Sequence, residues 1–240
     1  MTDPPPTDPG DVWIFGQRRR PDGSFPPPGG AGGRGPREDG GIHQNEIGQE
    51  PEDSVTPPHP CDNPETALPW NADAAGVSSA DAFLSKAAGV GDTNPQTGLQ
   101  TLADREFGRG LARGPNNSVW GSPVTPGDDR NPDGSTGDLT INFDPITLDT
   151  YLGDVHSHPN GNPEPSQTDW DFFLVNNRLA RENYGRTSET FYLYIVTVDA
   201  NGQPGAIYVY EDGPRAADSP DPPRPTQTGD EVNPDAQSCP

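Results

Sequence analysis

The sequence predicts an α+β domain, a mixed sheet packed by one long and one short helix, set between two disordered Pro/Gly-rich tails. Three observations lead there. Composition changes twice along the chain, near residues 64 and 213. Strand-length apolar runs recur between 106 and 210, separated by Gly, Pro, Asn and Asp. One segment, 166–184, carries apolar residues at three- and four-residue spacing instead. Only 28% of the 240 residues are hydrophobic, and 32 Pro and 29 Gly are present. An average globular domain is roughly 45–50% apolar, so one core cannot fill the whole length.

The expected organisation is therefore an acidic tail over 1–64, a domain over 65–212 and a second tail over 213–240. Pro4-Pro5-Pro6, Pro26-Pro27-Pro28 and Pro57-Pro58-His59-Pro60 typify the first tail, which buries too little apolar surface to offset its ordering entropy. Val12-Trp13-Ile14-Phe15 interrupts it as a docking peptide, an edge-adding strand or a chance cluster, beside the basic spot Arg18-Arg19-Arg20. Pro220, Pro222, Pro223 and Pro225 mark the second tail.

Within the domain, Ser79 is the expected N-cap of a short helix running through Phe83, Leu84 and Ala88 to Gly89. Strands are expected over Glu106–Ala112, Val119–Val124, Leu139–Phe143 and Tyr151–His156. The long helix follows over Ser166–Tyr184, with Trp170, Phe173, Leu174 and Ala180 on its apolar stripe. Phe191–Val198 is nearly all apolar, as in a strand covered on both faces. Asp199–Gly202 turns it into an antiparallel partner at Ala206–Tyr210.

Fifteen basic against 37 acidic residues leave a formal charge of -22. Phosphate backbones and anionic membranes repel such a chain, so neither nucleic acid nor membrane is expected as a partner. No run is long and apolar enough to span a bilayer. The first ten residues lack the basic and apolar regions of a secretory signal, which makes the cytoplasm the default, with non-classical export the other route. Cys61 and Cys239 are the two cysteines, and spacing alone leaves open whether they pair or stay free.

The chemistry concentrates in Gly153-Asp154-Val155-His156-Ser157-His158-Pro159, the loop 160–165, and Ser166-Gln167-Thr168-Asp169. His156 and His158, two apart on a strand, project to one face. Asp169, in the first turn of the long helix, can point back at them. Two His and one carboxylate leave a fourth tetrahedral position open, the pattern of a catalytic zinc site. Ser166 and Asp169 also read as a capping box, which needs no metal. Of the four histidines, the other two, His43 and His59, lie in the first tail, so the domain places both of its own in this motif.

The run H-x-H-P-x(6)-S-x-x-D resembles the JAMM (MPN+/JAB) metallopeptidase signature, over roughly Ser78–Tyr210, and is most similar to JAB-like domains of bacterial proteins, including those attached to polymorphic toxins. The resemblance implies a JAB/MPN-like, cytidine-deaminase-like sandwich. It implies Zn2+ held by His156, His158 and Asp169, lowering the pKa of its water. Glu106, in Glu106-Phe107-Gly108-Arg109-Gly110, matches the upstream general base, with Asp104 as a nearby competitor. Ser166 would donate to the developing oxyanion, a role that competes with capping. Ser157 should face the other side of its strand.

The implied activity is hydrolysis of a peptide or isopeptide bond in a protein or peptide substrate, a ubiquitin-like conjugate among the options, in housekeeping or as a toxin or effector. The alternative is a catalytically silent MPN-like scaffold or binding module. That class typically loses a ligand or the Glu, and all five residues are present here. Gln167 and Thr168 fill variable positions and are silent about substrate.

Overall fold

The computed structural model describes residues 59–240, apart from 132 and 134. Val12–Phe15, Arg18–Arg20 and the rest of the first tail up to residue 58 lie outside the described residues. The chain runs α1 (Pro64–Val90), β1 (Phe107–Arg113), β2 (Val119–Gly121), β3 (Thr125–Pro126), β4 (Tyr151–His158), α2 (Gln167–Tyr184), β5 (Phe191–Val198), β6 (Pro204–Asp212) and β7 (Asp230–Glu231). The α+β class holds. A seven-stranded mixed sheet has the order β2-β1-β4-β5-β6-β7, with β3 also paired to β1. Only β4 and β5 are parallel, and α2 connects them.

Alternation along β5 divides the core. Phe191, Leu193 and Ile195 face Trp170, Phe173 and Leu174 of α2. Tyr192, Tyr194, Val196 and Val198 face Ala72, Ala75, Phe83 and Ala87 of α1. Period-two apolar residues thus feed two layers at once.

The first helix is not short. It spans 27 residues, opened by Asn63, whose side chain accepts from Glu65 N, and closed by the left-handed Gly91. Pro69 inside it masks its N-terminal half in the sequence, because proline usually ends a helix. Ser79 is not its N-cap. It lies in the interior, fully buried, and its hydroxyl donates back to Ala75 O at 2.6 Å and accepts from Arg109 Nε at 2.8 Å.

Two strand expectations also change. Of Val119–Val124 only Val119–Gly121 is strand, as β2, and the two-residue β3 begins just beyond it at Thr125. Leu139–Phe143 keeps its alternation, with Leu139, Ile141 and Phe143 buried, but joins no ladder. It lies across β1, where Gly108 and Gly110 leave the space. A Cβ on Gly108 would come within 2.9 Å of Leu139 and Ile141, and one on Gly110 would collide with Phe143. Side chains satisfy its backbone: Asn142 N donates to Thr125 Oγ1 at 3.0 Å, and Asn142 O accepts from Ser122 Oγ at 2.8 Å.

The expected tail over 213–240 is a strap on the domain, and residues 59–64, expected in the first tail, carry a short 3-10 turn at Pro60–Asp62 and the start of α1. Pro222 O accepts from Trp170 Nε1 at 3.0 Å, Arg224 Nη1 donates to Pro165 O at 3.0 Å, and Asp221 pairs with Arg178 and Arg215. β7 adds to β6, burying Val232, and Trp70 Nε1 donates to Gln237 O at 2.6 Å. Cys239 and Cys61 form a disulfide. The strap has few apolar residues of its own. Proline removes a donor but leaves a carbonyl acceptor, and the domain supplies the indole and guanidinium donors.

Candidate metal centre

The site begins with a bulge in β4. The β1–β4 ladder pairs Gly108 with His156, Gly110 with Asp154 and Leu111 with Gly153, then slips so that Ala112 pairs with Tyr151. Gly153 sits at the slip with φ +151°, and a Cβ there would collide with Tyr192 O. The extra residue changes the phase of the strand. Tyr151 and His156, five apart, would otherwise face opposite sides. Instead Tyr151 packs in the α2 layer, and Asp154, His156 and His158 follow on the same side. Val155 and Ser157 face α1, the side expected for Ser157, which is fully buried and accepts from Phe107 N at 2.9 Å.

His156 Nε2 and His158 Nε2 are 3.2 Å apart, and each is 3.6 Å from Asp169 Oδ2. All three residues are buried, and one ligand atom from each falls within 4.8 Å of the others. Asp169 reaches them because it is also the third residue of the capping box. Ser166 Oγ accepts from Asp169 N at 3.1 Å, and Asp169 Oδ2 accepts from Ser166 N at 2.7 Å. The cap and the metal reading are therefore compatible. The cap fixes the carboxylate where the histidines need it.

The far side of each ring is held as well. His158 Nδ1 donates to Asn162 O at 2.8 Å, and His156 Nδ1 lies 3.4 Å from Asp154 Oδ1. With both Nδ1 atoms committed to acceptors, the two Nε2 lone pairs face each other. That contact is repulsive unless a cation or a proton sits between them. Burial opposes charge on His156, but Asp169 and then Asp154 outweigh it and raise His156 well above the ordinary imidazole value. Burial likewise pushes Asp169 up, and His156 and His158 overturn it, holding Asp169 well below the usual carboxylate range. The field that holds a proton here favours any cation, and two imidazoles with one carboxylate suit zinc.

Glu106 precedes β1. Continuing the ladder by two places sets it across from His158, on the same face as Gly108 and Gly110. It lines a cleft with His158, Ser166 and Asp169, together with Thr136, Asn160 and Glu164. It is 8% exposed, and its Oε2 has no hydrogen-bond partner among the described residues. Burial pushes its carboxyl up to about 7, against the pull of His156 and His158. A base of that strength suits proton transfer near neutrality. Asp104, the competitor, is exposed and does not line the cleft.

All five expected residues thus come together. Asp154 and the Asn162 carbonyl complete the site and were not singled out in the sequence. Asp154 was legible, since Asp154-x-His156-x-His158 has the period of one strand face, whereas a backbone carbonyl in a loop leaves no signal. Among the described residues no helix is long and apolar enough to cross a membrane. The chain matches no protein-family model, and neither a curated protein nor a solved structure matches it.

Proposed function

We propose that the chain is a zinc-dependent peptidase or isopeptidase of the JAMM type, with a JAB/MPN-like domain and a protein or peptide as substrate. One observation carries the reading: Glu106, a buried carboxylate whose Oε2 has no partner among the described residues, shares a cleft with His158 and Asp169 of the three-donor set His156, His158 and Asp169. Burying that oxygen without a partner is costly, and a proton-transfer role accounts for the cost.

A divalent cation held by these three residues supplies Lewis-acid chemistry, acidifying a water and polarising a carbonyl. Glu106 takes the proton from the attacking water and delivers it to the leaving amine. Ser166 serves as cap through its hydroxyl oxygen, so its own proton remains for the developing oxyanion, and the two roles do not compete. Such a donor is worth about 2.7–4 kcal/mol in the transition state. Asp154 and Asn162 orient the rings, and the cap orients Asp169.

The test is metal analysis of protein purified without chelators. One zinc per chain is expected in the wild type and none in His156→Ala, with the fold retained by circular dichroism. Absence of stoichiometric metal from the wild type overturns the reading.

A further inference from the structure

The donor set separates two unlike surfaces. On the His158 side lies the polar cleft of Glu106, Thr136, Asn160, Glu164 and Ser166. On the His156 side lies a slot walled by Leu139, Ile141, Thr168 and Phe172, with His156, Asp154 and Asp169 at its floor. Leu139 and Ile141 are held there by the segment that crosses Gly108 and Gly110, and Phe172 and Thr168 come from the first turns of α2. Phe172 is half-buried and Thr168 exposed, so the slot opens to solvent. At the floor Asp154 Oδ1 faces His156 Nδ1 at 3.4 Å, Asp154 Oδ2 is buried away from the opening, and Asp169 is turned to the histidines, which leaves the walls to decide what fits.

We infer that this slot is the subsite for an apolar side chain on the acyl side of the scissile bond, an inference that rests on the hydrolase reading. The direction follows from Glu106. The group that protonates the leaving amine must stand on the amine's side, and Glu106 stands in the polar cleft. The amine half of the substrate therefore lies along Glu106 and Glu164, where acidic groups suit a nascent ammonium. The acyl half extends the other way, past His156, and its side chain enters the slot between Leu139 and Phe172. A substrate with glycine at that position leaves the slot empty. Thr168, at a variable position of the motif, becomes a specificity-determining residue.

Binding of acyl-side products tests the slot without turnover. N-acetyl-leucine and N-acetylglycine are titrated calorimetrically into zinc-loaded full-length protein. N-acetyl-leucine should bind at least tenfold more tightly, since burying an isobutyl group is worth more than one decade in affinity. Thr168→Phe, which fills the slot from its exposed rim, should erase that ratio while zinc content stays at one per chain. Equal binding of the two probes to wild type, or an unchanged ratio in Thr168→Phe with zinc retained, overturns the subsite. A peptide library separates this from the hydrolase reading. Cleavage after Leu, Ile, Phe or Met supports both. Cleavage mainly after Gly, Lys or Arg overturns the subsite and keeps the hydrolase. No cleavage of any peptide or of any isopeptide-linked peptide, with the leucine preference intact, keeps the slot as a binding site and removes the hydrolase.

Discussion

The two faces of the sheet are built on different terms. On the α1 face Phe83, Phe107, Leu111, Leu152, Val155, Tyr194 and Val196 pack as a continuous apolar layer, and the buried hydroxyls Ser79 and Ser157 are paired. On the α2 face the same strands end in His156, His158, Asp154 and Glu106. The buried polar atoms without a partner among the described residues belong to this side: Glu106 Oε2, Asn176 Oδ1, Asn177 Oδ1 and Arg181 Nε are among them. One face is spent on stability. The other carries buried charge and unpaired polar atoms, the local inconsistencies expected at functional sites.

Glu106→Gln should show the difference most strongly. Turnover should fall by about 10²–10⁴-fold, the usual cost of a lost acid/base group, with zinc content unchanged. Stability should move the other way. The folded-state carboxyl is raised to about 7, so ionisation works against the fold as pH rises through that value. In metal-free protein Glu106→Gln should therefore be more stable than wild type by about 3 kcal/mol at pH 8, and equal to it below about pH 4, by urea denaturation. A destabilised variant at pH 8 would mean that the carboxylate is structural.

Cys239→Ser comes next. The disulfide closes a loop with a sequence separation of 178, for which chain entropy gives roughly 5 kcal/mol at most. Thermal melts under non-reducing conditions should show the loss, and hydrogen exchange should quicken first in the strap. Phe83→Ala, on the α1 face, should cost about 3–5 kcal/mol by urea denaturation and leave zinc affinity unchanged at temperatures where the protein is folded. A parallel loss of zinc would show that the faces are coupled. Ser166→Ala should be mildest for stability, about 1 kcal/mol for a lost N-cap, and calorimetry should show zinc binding little changed, because the backbone N of residue 166 that holds the Asp169 carboxylate remains.

The site was more legible than its frame. β5 and α2, with its capping residue, could be read because long periodic segments and caps act locally. His156, His158 and Asp169 could be read because their spacing already encodes a strand face and a helix start. The bulge at Gly153, which chooses the face, could not, since it depends on the register against β1. The first half of α1 was hidden by Pro69, which tertiary packing overrides. Leu139–Phe143 showed its burial and concealed its hydrogen bonds, because alternation reports which side chains are covered and not what pairs the backbone. The strap failed a composition rule that asks whether a segment can form its own core. It needs none when the domain offers Trp170 and Arg178 as donor and ion-pair partner and the Pro165 carbonyl as acceptor for Arg224 of the strap.

The bond between Cys61 and Cys239 makes the described domain a covalent ring. A protease that nicks an exposed loop anywhere between these two residues leaves one molecule with every strand still tethered, so a single cut does not release a fragment. Shedding a piece takes two cuts, or one cut and a reductant. Such a ring keeps its closure where thiols are oxidised and gives it up in a reducing cytosol. The same polypeptide is thus a clasped body in one compartment and an open-ended chain in the other, and its lifetime among proteases differs accordingly.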